Sequence, residues 1–140
     1  MIKIKIFCIG KIKEEWLDLA LHEYTKRIQS DLSIEWVVFK DEEKLYKQAL
    51  LEKDLVALTP EGLELDSIDF SKKLFDLIEK NQSRLSILIG GAEGIPRHLI
   101  TNIPKISLGS LTWSHQTVKL LIIEQIYRAY TIREGLNYHK

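Results

Sequence analysis

The sequence predicts an α/β layer structure built on a mostly parallel sheet. Three observations carry this. Apolar segments alternate between strand-like and helix-like periodicity along the chain, a glycine loop follows an uninterrupted apolar run, and 140 residues at 45% hydrophobic content suit one core and one domain, residues 1–140.

Taken in order, Ile2, Ile4 and Ile6 fall on one side of an extended chain and Lys3 and Lys5 on the other, so a first strand runs to Gly10. The same alternation argues against a signal peptide, which needs a continuous apolar stretch. Leu17, Ala20, Leu21, Tyr24 and Ile28 recur at helical spacing opposite Glu14, Asp18, His22, Lys26 and Gln29, which predicts a helix over 14–29. The β-branched and aromatic residues at 34–39 predict a second strand, 42–52 a helix and 55–58 a short buried strand, and Thr59-Pro60-Glu61-Gly62 then breaks the chain. Ser67 is placed to cap a helix over 67–80, whose Phe70, Leu74, Leu77 and Ile78 turn inward, and 85–89 is a fully apolar strand. Pro96 and Pro104 leave room for at most two helical turns before the short apolar piece at 106–108. A long helix covers 115–133, and its apolar residues surround most of its circumference. That is more than one sheet face needs, and it predicts a second partner surface, hence a homodimer.

Composition narrows the function. Twenty basic residues balance twenty acidic ones, which argues against a chain that holds nucleic acid by overall positive charge. Residues 41–80 carry eleven acids and six bases, whereas 81–140 carry seven bases, three acids and three of the four histidines, so the carboxyl-terminal half is the better RNA surface. No stretch reaches the roughly 18 apolar residues of a membrane span. Cys8, the single cysteine, excludes an intrachain disulfide and fits a buried thiol in a reducing, cytoplasmic setting.

In open sheets of this kind ligands sit beyond the carboxyl ends of the strands, which directs attention to 59–62 and 90–94. Gly90-Gly91-Ala92-Glu93-Gly94 lets backbone approach a ligand closely, but it has neither the dinucleotide spacing of glycines nor a following Gly-Lys-Ser/Thr. Gly109-Ser110-Leu111-Thr112-Trp113-Ser114-His115-Gln116 combines small hydroxyls, an indole and an imidazole before the long helix, which Ser114 is suited to cap. Lys119, Glu124, Arg128 and Arg133 on that helix, with the ending Asn137-Tyr138-His139-Lys140, can be read as a solvated strip or as a phosphate-binding patch. No histidine has a partner at zinc-ligand spacing, so no metal is expected, and no Gly-x-Ser-x-Gly elbow supports hydrolysis.

The ordered set Ile89-Gly90-Gly91-Ala92-Glu93-Gly94, Leu111-Thr112-Trp113-Ser114-His115-Gln116, Ile123-Glu124-Gln125-Ile126-Tyr127-Arg128-Ala129 and Tyr138-His139-Lys140 resembles the bacterial large-subunit rRNA pseudouridine methyltransferases of the SPOUT superfamily. The likeness spans the whole chain and includes Gly10-Lys11, Glu23-Tyr24, Lys26-Arg27 and Leu58. It implies helices on both faces of the sheet, a carboxyl-terminal trefoil knot and S-adenosylmethionine as methyl donor. It also implies a homodimer through the last helix, and action at N3 of pseudouridine 1915 in 23S rRNA of the assembled ribosome. By the same pattern Leu58, Gly90, Leu108, Gly109, Ser110, Leu111, Thr112 and Trp113 would contact the donor. Lys119, Arg128, Arg133, Tyr138, His139 and Lys140 would meet RNA, and His115, His139 and Arg128 are the catalytic candidates. The chain departs from the family at Ser114, where relatives have proline, at Lys119, where they have arginine and its planar fork, and in a shorter stretch near 40–47. The competing readings are a related enzyme acting on tRNA and a non-catalytic RNA- or ribosome-binding module of the same fold.

Overall fold

The computed structural model describes all residues, Met1–Lys140. The elements are β1 (Ile2–Ile9), α1 (Glu15–Ile28), β2 (Leu32–Phe39), α2 (Glu42–Ala49), β3 (Leu55–Glu64), α3 (Ser67–Lys80), β4 (Arg84–Ile89), a short 3₁₀ turn (Arg97–Leu99), β5 (Lys105–Ser107) and α4 (His115–Glu134). All strands are parallel, in the order β2-β1-β4-β3-β5. Leu58 lies between Ile89 on one side and Ile106 on the other, so the carboxyl ends of β4, β3 and β5 stand side by side.

Both faces of the sheet are covered, which is why its strands read as nearly continuous apolar runs. On one face Ile4, Ile6, Cys8 and Ile87 pack against Ile28 of α1, Phe70, Leu74 and Ile78 of α3, and Ile122 and Ile126 of α4. On the other, Phe7, Ala57 and Leu88 meet Leu45, Tyr46 and Ala49 of α2. Each fully buried side chain of this kind contributes about 1.5–3 kcal/mol.

Several local expectations are corrected by tertiary contacts. The Thr59-Pro60-Glu61-Gly62 segment does not end the strand. β5 pairs with β3 at Ala57 and Leu58 and again at Leu63 and Glu64, and the residues between bulge away, where proline's missing donor costs nothing. Gly62 is required there, because a Cβ would lie 2.6 Å from the Ile106 amide nitrogen. The cap of α3 is Asp66, whose carboxylate accepts from the Asp69 amide at 2.8 Å, whereas the Ser67 hydroxyl donates to Gln125 Oε1 at 3.0 Å. A carboxylate at a helix start also gains from the helix dipole, which favours it over a hydroxyl. The segment between the two prolines forms one 3₁₀ turn, and α2 stops at Ala49.

The apolar circumference of α4 is largely used within the chain. Leu17 and Leu21 of α1 enclose Ile123, while Phe70 and Leu74 of α3 flank Ile122 and Ile126, and Ser71 Oγ donates to the Ala129 carbonyl at 2.8 Å. Leu120, Leu121, Tyr127, Tyr130 and Ile132 stay half-buried.

Candidate active site

Beyond the carboxyl ends of β3, β4 and β5 lies a cleft of about 350 Å³. Leu58 comes from β3 just before its bulge, Ile89 and Leu108 from the ends of β4 and β5, Gly90 to Ile95 from the loop after β4, and Leu111, Thr112, Trp113, His115 and Val118 from the segment entering α4 and its first turn. Of the eight residues expected at the donor, Leu58, Gly90, Leu108, Gly109, Leu111, Thr112 and Trp113 line this cleft. Ser110 is exposed and forms no part of its wall.

The loop after β4 is held by packing. A Cβ on Gly90 would fall 2.8 Å from Ile95 Cγ1 and 2.9 Å from the Gly94 carbonyl carbon, and Gly94 itself sits at φ +80°. Tyr46, reaching across from α2, donates its hydroxyl to the Gly94 carbonyl and accepts from the Gly91 amide, both at 3.2 Å. Burial raises the Tyr46 pKa, so the hydroxyl stays a donor at neutral pH. Facing it, Gly109 has φ +111° with open space where a side chain would go, and its amide is turned by the Ser107 hydroxyl at 3.0 Å.

Ser114 caps α4 as its position predicted, accepting from the Thr117 amide at 3.1 Å. This fixes the turn that carries His115 into the cleft. His139 lies elsewhere, on a neighbouring cleft of about 570 Å³ that shares Leu108, Gly109 and Trp113 with the first. Trp113, 41% exposed, therefore borders both.

The tail folds back on α4 as one cluster. Arg128 pairs with Glu124 at 2.7 Å, lies over the Tyr138 ring at 4.8 Å and donates to His139 Nδ1 at 3.1 Å. A guanidinium only donates, so Nδ1 supplies a lone pair and the neutral His139 ring carries its proton on Nε2. The Tyr138 hydroxyl donates to Glu124 Oε2 at 2.8 Å, and burial with this bond raises its pKa well above the ordinary tyrosine value. Arg133 is exposed, 4.3 Å over the Phe75 ring and 3.8 Å from Glu79, and Lys140 is exposed at the end of the chain.

Lys119 corrects the expectation of an RNA contact. It is 1% exposed, and its Nζ donates to the Gly10 carbonyl at 2.7 Å, beyond the reach of a phosphate on the surface. The helix face it occupies is turned inward by α1 and the end of β1, which helical periodicity cannot reveal. Tyr46 was missed as well: it reads as an ordinary apolar position of α2, and its tie to the glycine loop is a contact between residues 45 apart. The Glu61–Arg97 ion pair at the rim, 2.6 Å, is another long-range contact without a local signal.

Aliphatic and aromatic side chains share the cleft walls with the carboxylates of Glu61 and Glu93 and with glycines that bring backbone amides and carbonyls within reach, and its size is that of ordinary small-molecule sites. No group of three or more His, Cys, Asp or Glu side chains is arranged to hold a metal ion, and no helix is long and apolar enough to cross a membrane.

Related sequences match the chain along its whole length. A family model described as predicted SPOUT methyltransferase matches residues 2–139. The protein named ribosomal RNA large subunit methyltransferase H from Protochlamydia amoebophila is 42% identical over 140 residues, all of both chains. The protein of that name from Leuconostoc citreum is 33% identical over 157 aligned positions, covering 98% of this chain and 99% of its own length. Among solved structures, a probable methylase family protein from Haemophilus influenzae superposes with a TM-score of 0.56 at 7% identity, covering 99% of this chain and 70% of its own. TrmJ from Z. mobilis superposes at 0.50 and 10% identity, covering 93% and 70%. These two likenesses concern the fold. With the family model spanning nearly the whole sequence and full-length relatives at 33% and 42% identity, the chain belongs to the SPOUT methyltransferase family, alongside the proteins named ribosomal RNA large subunit methyltransferase H.

Proposed function

We propose that this chain uses S-adenosylmethionine to methylate N3 of a pseudouridine in 23S rRNA of the assembled ribosome. The observation that carries the reading is the cleft at the ends of β3, β4 and β5, where seven of the eight residues expected at the donor converge beside His115. The relatives' shared name, ribosomal RNA large subunit methyltransferase H, supports rRNA as the substrate.

The donor supplies an electrophilic methyl group on sulfur. The chain's residues have to align the acceptor nitrogen with it, exclude water and receive the N3 proton. Alignment is the larger task, worth about 7–11 kcal/mol in well-oriented intramolecular reactions. The packed 90–94 loop and Leu58 would hold the donor from one side, and Leu108 to Trp113 from the other. Trp113, bordering both clefts, offers an apolar face beside the target base.

His115 is the better candidate for orienting the base or accepting its proton. It lines the donor cleft, whereas the Nδ1 lone pair of His139 is engaged by Arg128 and its Nε2 bears the proton. Arg128, Arg133 and Lys140 would meet phosphates, with Arg128 sharing its charge between RNA and Glu124. The half-buried apolar residues left on α4 support a homodimer, and the return of the chain from the edge strand β5 to the Gly10-Lys11 turn after β1 supports the trefoil knot.

Methyl incorporation measured side by side in ribosomes, isolated subunits and tRNA tests the substrate; labelling of tRNA alone sinks the rRNA assignment. Isothermal titration with S-adenosylmethionine tests the donor, and no binding would favour a non-catalytic module. A His115→Ala chain that retains full single-turnover methylation removes His115 from the chemistry.

A further inference from the structure

Lys119 is an ammonium placed where a buried apolar residue would pack without any desolvation cost. It stands four residues after His115 on α4, so the two share one helix face. Its Nζ reaches the Gly10 carbonyl at 2.7 Å, one residue beyond the end of the interior strand β1. One turn earlier on the helix, Gln116 Nε2 donates to the Lys11 carbonyl at 3.3 Å. The strand side of this junction is itself anchored, because the Gly10 amide donates to the Phe39 carbonyl of β2 at 2.8 Å. The fit is close: a Cβ on Gly10, which sits at φ +78°, would lie 3.3 Å from Gln116 Nε2 and 3.6 Å from His115 Nε2.

We propose that Lys119 is a positioning residue for methyl transfer: with Gln116 it fastens the first turns of α4 to the Gly10-Lys11 turn and thereby sets where the His115 ring stands in the donor cleft. The strap joins the end of β1 to a helix whose preceding segment comes from β5, at the far side of the sheet. Without it the entry to α4 would be held only by its Ser114 cap and side-chain packing. The proposal rests on the assignment of His115 to the methyl-transfer site.

The test combines single-turnover methylation of ribosomes with NMR signals of the His115 ring, the latter independent of turnover. Lys119→Met is expected to slow methylation by about 10- to 100-fold, the range for a misplaced reacting group, and to shift the His115 signals. Adding His115→Ala to that variant should cost little more, since the two residues act through one geometry. Lys119→Arg keeps the charge and donors, and the adjoining cavity of about 350 Å³, lined by Cys8 and Lys119 itself, gives the larger head room; it should restore both readouts. If Lys119→Met fails to fold, Gln116→Ala loosens the other strap without touching a buried charge and should shift the same signals. Unchanged His115 signals in a folded variant, or an unchanged rate in Lys119→Met, overturn the proposal. Wild-type protein that binds no donor or labels no ribosome instead sinks the underlying assignment, and the NMR comparison still judges the strap.

Discussion

Residues 90–94 and residues 108–113 border the same cleft, and both depend on glycine, but for different physical reasons. Gly90 is packed against backbone of its own loop and has no room for a methyl group, and Tyr46 ties that loop down from α2. A Cβ on Gly109 would meet nothing within 4 Å, so glycine is needed there only for its φ of +111°. One wall is therefore rigid because its surroundings over-determine it. The other is shaped by a single backbone conformation and stays open on the ligand side, with Leu111 and Trp113 exposed beside it. A small donor gripped beside an incoming RNA base, as proposed above, would use one wall of each kind.

The contrast can be broken by substitution. Gly90→Ala should have the largest effect, about 3 kcal/mol in urea unfolding, because backbone atoms of Gly94 and Ile95 would have to move. Extending alanine to leucine there should destabilise further. At Gly109, alanine should cost about 2 kcal/mol through backbone strain alone. Leucine, unbranched at Cβ, should cost little more than alanine, since the space is open; an added loss as large as that at 90 would show that the two walls do not differ. Tyr46→Phe strands the Gly91 amide and the Gly94 carbonyl and should cost about 1–2 kcal/mol, with weaker donor binding by titration calorimetry.

That last difference has a pH signature. The folded Tyr46 pKa is raised by burial above the unfolded value, so the hydroxyl's contribution is fully present below the ordinary tyrosine value of about 10 and is lost as pH rises through the folded one. The stability gap between wild type and Tyr46→Phe should be constant from neutral to mildly alkaline pH and close above that range. Ser114→Ala should be the smallest change, about 1 kcal/mol for a lost cap, read from thermal unfolding.

The order of elements was readable because strand and helix periods are local properties of the chain: Ile2-Ile4-Ile6, the inward face of α1 and the 85–89 run each appear where their pattern lies. The cleft was readable for a related reason, since its walls come from two contiguous motifs. What escaped were contacts between distant segments. Thr59-Pro60-Glu61-Gly62 has every sign of a turn, and only the arrival of β5 keeps it within a strand. Ser67 looks like a cap; the Asp66 carboxylate beside it takes that role through a local bond, and only Gln125, from a distant segment, gives the Ser67 hydroxyl its partner.

Lys119 marks the boundary most clearly. Its residue type and its place on a helix are local information, and from these alone a lysine near the carboxyl terminus of an RNA-modifying chain reads as a phosphate contact. Whether a helix face meets solvent or protein depends on which elements pack against it. Here α1 and the end of β1, more than ninety residues earlier in the chain, close over that face and turn the charge inward to the Gly10 carbonyl. Periodicity along the chain is enough to specify most of the elements, and contiguous motifs mark the loops that wall the cleft; the direction in which α4 presents its charges follows from the packing of the whole fold.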